Sequence, residues 1–111
     1  MIPKEFERRF HDKRLELDCR LGGYCPVQGM GTVAGRPFYF HARHDTWTFA
    51  VSETAGLEPE DRYSGEKGFY REGAYGERGG EEAGWMPLDE AEALIRRCAE
   101  EYESARMSPV T

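Results

Sequence analysis

The run from Phe38 to Ser52 constrains this chain more than any other stretch. Phe38, Phe40 and Ala42 alternate with Tyr39, His41 and Arg43. After His44-Asp45, Trp47, Phe49 and Val51 alternate with Thr46, Thr48, Ala50 and Ser52. A period of two, rich in aromatic and β-branched residues, is the pattern of a half-buried strand, and a short polar turn between two such runs makes an antiparallel hairpin. An earlier strand around Val27 to Val33 extends the hairpin into a meander. Gly29 and Gly31 read as a bulge within it, and Ala34-Gly35-Arg36-Pro37 as a turn. A sheet with one apolar face needs a cover, so helices are expected on that face.

Two segments supply candidates for that cover. Ile2, Phe6, Phe10, Leu17 and Leu21 share one side of a helical wheel, Pro3 suits a first turn, and Gly22-Gly23 suits a stop. The spacing therefore predicts a helix over residues 3–21. Residues 14–21 also alternate strictly, as a strand would, but lack β-branched and aromatic residues, so helix is the expectation and strand the alternative. Residues 88–105 form the second candidate: Pro87 precedes them and Asp89 with Glu92 has capping-box spacing. Ala91, Leu94, Ile95, Cys98, Tyr102 and Ala105 make an apolar stripe. Glu92/Arg96, Arg96/Glu100 and Arg97/Glu101 stand four apart on the other side.

Between sheet and last helix lies a Gly- and Glu-rich stretch, residues 53–84, read as a long acidic loop shortened by a hairpin through residues 68–75 that turns at Glu72-Gly73. Trp85 reads as the core anchor tying this loop to the helix, and residues 106–111 as a frayed tail. The expected fold is thus one α+β domain over residues 1–111. Its order is N-terminal helix, three- to four-stranded antiparallel meander, long loop, C-terminal helix, with both helices on one sheet face.

Charge narrows the function. Residues 1–52 carry eight Lys and Arg against six Asp and Glu; residues 53–111 carry seven against fifteen. Binding nucleic acid directly through phosphates requires a basic surface, which this balance opposes. An acidic face instead suits a basic partner. No apolar run approaches the roughly 18 residues of a membrane span, and the N-terminus has no apolar signal core, so a cytoplasmic location is expected. In that reducing compartment Cys19, Cys25 and Cys98 are expected as free thiols, with Cys98 in the core.

The usual chemical motifs are weak. His41, His44 and Asp45 offer imidazoles beside a carboxylate, the material of a general base, but Asp45 also fits a turn and His41 the outward strand face. Cys19, Cys25, His41 and His44 have zinc-binding atoms at spacings that common zinc sites do not use. The glycines at 22, 23, 29 and 31 lack the Lys-Ser or Lys-Thr and the helix of a phosphate loop. Tyr39, His41 and Arg43 resemble the surface of an RNA-binding sheet without its motif. No cofactor, metal or catalytic residue is assigned.

Gly35-Arg36-Pro37-Phe38-Tyr39-Phe40-His41-Ala42-Arg43, the following Trp47-Thr48-Phe49, and Trp85-Met86-Pro87 before the acidic helix resemble patterns in short uncharacterised proteins of bacteria and their phages. In size and acidity the chain also resembles small phage-encoded inhibitors of host defence, anti-CRISPR proteins among them. The resemblance implies the cytoplasm of a host cell and carries no residue roles.

The acidic loop supplies the leading expectation: a non-enzymatic binding protein that engages a basic protein or a nucleic-acid-binding complex. Glu58, Glu60, Asp61, Glu81 and Glu82 would steer it, and Tyr63, Phe69, Tyr70 and Tyr75 would anchor it. Two alternatives stand beside it: a small enzyme or ligand-binding protein using His41, His44 and Asp45, and a homo-oligomer paired through its outward sheet face.

Overall fold

A computed structural model of the chain describes residues 7–52 and 68–107. Six antiparallel strands follow one another in chain order: β1 (Glu7–Asp12), β2 (Leu17–Gly22), β3 (Val27–Val33), β4 (Arg36–Arg43), β5 (Thr46–Ser52) and β6 (Gly68–Ala74). A short 3₁₀ helix (Glu82–Trp85) and a helix, α1 (Leu88–Met107), complete the described residues.

This mostly-β architecture corrects the expectation of an N-terminal helix and a smaller meander. Residues 7–22 form a hairpin, with Phe10 opposite Cys19 and Asp12 opposite Leu17. Leu15, Leu17, Cys19 and Leu21 are all buried while Glu16, Asp18 and Arg20 are exposed, so the period of two prevails. Strand β2 gains partners on both sides, β1 and β3, and this pairing outweighs its low β propensity. Its turn is held locally: Asp12 Oδ1 accepts a hydrogen bond from Leu15 N at 3.3 Å, and Lys13 O accepts one from Glu16 N at 3.2 Å.

Two glycines also read differently in three dimensions. The register runs unbroken from Leu21 through Gly29 to Phe40, so Gly29 marks no bulge. A Cβ there would stand 3.0 Å from Ile95 Cδ1, so the glycine lets α1 settle on the sheet. Residues 68–74 are one strand continuing the meander against β5, and no hairpin turns at Glu72-Gly73. Gly73 lies opposite Trp47, whose indole stands 2.7 Å from where a Cβ would sit.

The core lies between α1 and one sheet face. Phe38, Phe40, Ala42, Phe49 and Val51 are buried beneath Ala91, Ile95, Cys98, Ala99 and Tyr102. Ala99 takes the place in the stripe expected of Ala105, which is exposed. The carboxylates expected to cap α1 instead hold β1. Arg8 pairs with Asp89 at 2.8 Å and Glu92 at 2.9 Å, and Arg96 bridges Glu92 at 2.9 Å and Asp12 at 3.1 Å. The Arg96 guanidinium also sits 4.8 Å above the Phe10 ring. Glu100 and Glu101 likewise reach outward, to Arg14 at 3.4 Å and Arg71 at 3.0 Å. No helix of the described residues is long and apolar enough to cross a membrane.

Candidate functional site

The turn between β4 and β5 organises the segment that leads to α1. His44 O accepts a hydrogen bond from Ala83 N at 2.9 Å, and Asp45 O accepts one from Tyr75 N at 2.8 Å. Asp45 Oδ2 accepts another from Gly79 N at 2.7 Å, while His44 Nδ1 lies 3.2 Å from Glu81 Oε2. Three residues per turn then place Ala83 and Met86 inward and fully buried, and turn Trp85 outward. Trp85 is therefore no core anchor; Met86 takes that role. The indole is 62% exposed and stacks on Tyr24, with ring centroids 5.6 Å apart.

Beside Trp85 opens a shallow cleft of about 520 Å³, lined by Tyr75, Gly76, Glu81, Glu82, Trp85 and Glu90. Its carboxylates are held in place. Glu82 Oε2 accepts a hydrogen bond from Glu77 N at 3.1 Å, and Glu90 Oε1 accepts one from the Tyr75 hydroxyl at 2.8 Å. Burial, and then the Glu90 carboxylate, push the Tyr75 phenol up to about 12, so it stays a donor. Each ionised carboxylate accepts through both oxygens, so these contacts leave capacity for a further donor. Three carboxylates around an exposed indole suit a cation that brings N–H donors and sits over an aromatic face.

The cleft unites three of the residues expected to bind a partner, Tyr75, Glu81 and Glu82. Phe69 lies elsewhere: it packs edge-on against Tyr102 at 5.3 Å and Phe49 at 6.3 Å, with the Arg71 guanidinium 4.1 Å above it. Tyr70 stands on the opposite sheet face, across from Ala50. Glu58, Glu60, Asp61 and Tyr63 lie outside the described residues. Trp85 and Glu90 join the cleft without having been expected there. The sequence signal for Trp85 is the three-residue spacing of Ala83 and Met86, which leaves it out of phase with the buried positions.

His41, His44 and Asp45 go to different partners. His41 stacks on Tyr39 at 5.8 Å on the sheet face opposite α1, His44 faces Glu81, and Asp45 holds Gly79. Cys19 and Cys98 are buried and Cys25 is exposed; all three are free thiols. Burial pushes both buried thiols up to about 12. No group of three His, Cys, Asp or Glu among the described residues is placed to hold a metal ion.

No protein-family model matches the chain, and no curated protein or solved structure matches it either.

Proposed function

We propose that this chain is a non-enzymatic binding protein that grips a basic macromolecular surface, taking a Lys or Arg side chain into the cleft at Trp85. One observation carries this reading: a tryptophan held largely in solvent among three oriented carboxylates. An exposed indole contributes little to a fold, whereas at an interface it is a strong anchor. The surroundings extend the field, since residues 68–107 hold ten Asp and Glu against five Arg. Such a surface steers a basic partner toward the cleft. The most specific form of the reading is a phage-encoded inhibitor, acting in the host cytoplasm on a basic, nucleic-acid-binding defence complex.

The test is capture of a basic protein from bacterial lysate by the tagged chain, repeated with Trp85→Ala and with Glu81→Gln/Glu82→Gln/Glu90→Gln. The expected result is a partner retained at low salt, released as salt rises, and lost with either variant while circular dichroism stays unchanged. A partner retained equally by both variants refutes the cleft as the binding site.

A further inference from the structure

The sheet face opposite α1 carries a second feature, independent of the acidic cleft. One row of residues crosses it in register: Arg9 opposite Arg20, Arg20 opposite Met30, Met30 opposite Tyr39. Over the middle of this row, at Arg20 and Met30, and beside Gly23, Tyr24 and Pro26 lies an open depression of about 450 Å³. That volume falls in the range of small-molecule sites.

Two observations give the depression a chemical preference. The first is charge. Like charges directly opposite on neighbouring strands repel, and Arg9 and Arg20 are such a pair. Asp18 compensates Arg9 at 3.8 Å, but Arg20 makes no ion pair or hydrogen bond among the described residues. An anion at Arg20 would relieve the repulsion, and a guanidinium fork matches a carboxylate through two parallel hydrogen bonds. The second is the apolar wall. Met30 is 48% exposed where a strand's solvent face ordinarily carries polar residues, and Tyr24 lines the same depression. A thioether and an aromatic ring together suit a flat aromatic body. Glu7 lies on the same lining and disfavours ligands of higher negative charge.

We infer that this depression is a binding site for a small aromatic monocarboxylate, whose carboxylate meets Arg20 and whose ring lies over Met30 against Tyr24. Gln28, also on the lining, offers an amide to the same carboxylate. Tyr24 lines this site while its stacking partner Trp85 lines the acidic cleft, so the ring pair separates the two.

The experiment is an amide-resolved NMR titration of the intact chain with naphthoate, with naphthamide as the uncharged control. Naphthoate is expected to shift the amides of Arg20, Gln28 and Met30 saturably. Naphthamide, and naphthoate with Arg20→Gln, bind roughly tenfold more weakly or worse, the loss expected for one charge-assisted pair. Glu7→Gln tightens naphthoate binding. Arg20 is exposed, so its replacement leaves a folded chain on which the loss is read. No saturable shift, equal binding of naphthamide, or indifference to Arg20→Gln overturns the inference. None of these results bears on Trp85, Glu81 or Glu82, so the cleft reading fails or stands separately.

Discussion

Neighbouring residues Trp85 and Met86 are predicted to answer truncation in opposite ways. Met86 directly follows the 3₁₀ helix and is fully buried. Cutting it to Ala removes its contacts and leaves a cavity, at a cost of about 2–5 kcal/mol for buried large-to-Ala changes. Trp85 is exposed, and its described aromatic contact is the stack on Tyr24. Losing an aromatic pair costs about 0.5–1.5 kcal/mol. At this chain length each kcal/mol moves Tm by roughly 4 °C. Met86→Ala should therefore lower Tm by about 8–20 °C and Trp85→Ala by only about 2–6 °C. Thermal and urea unfolding followed by circular dichroism measures both. In Trp85→Ala the remaining indole, Trp47, also reports the core by fluorescence. Met86→Leu, which nearly conserves volume, should recover most of the loss, to within about 1.5 kcal/mol of the parent. If Trp85→Ala costs as much as Met86→Ala, the assignment of anchor and exposed residue is wrong.

Three further predictions concern the cysteines and the packing of the sheet. Cys25 should react at once with a thiol reagent in the folded chain, whereas Cys19 and Cys98, buried and held near 12, should react only on unfolding. Their folded-state values lie above the ordinary 9.0, so the unfolded chain loses these protons first and stability should fall as pH rises from about 9 towards 12; a flat denaturation midpoint across that window would refute it. Gly73→Ala should force the Trp47 indole aside, with an overpacking cost of about 1–3 kcal/mol and a shifted Trp47 emission; an unchanged spectrum and midpoint would show that the strand yields instead.

Much of the sheet is legible in the sequence. Between Phe38 and Ser52, alternation and β-rich composition point the same way, and every inward residue named from the sequence is buried. The N-terminal segment misleads because Phe10, Leu17 and Leu21 satisfy a helical stripe as well as a strand pattern. What decides between them is pairing with β1 and β3, which the apolar spacing of the segment does not register. The last helix is legible from its stripe, and the error at Ala99 and Ala105 is one of phase near its end. At the candidate site Tyr75, Glu81 and Glu82 are identifiable as polar and aromatic residues in an acidic stretch. Trp85 is not, because hydrophobicity argues for burial and only the phase of the 3₁₀ helix turns it outward.

The order of elements along the chain has a consequence for synthesis. Each strand pairs with the one made just before it, so the meander can assemble hairpin by hairpin as the chain emerges. The helix that covers its apolar face follows all six strands. Until Ile95, Cys98 and Tyr102 have left the ribosome, Phe38, Phe40 and Phe49 have no cover from α1. Any pause or truncation before α1 would therefore present chaperones with a paired but sticky sheet.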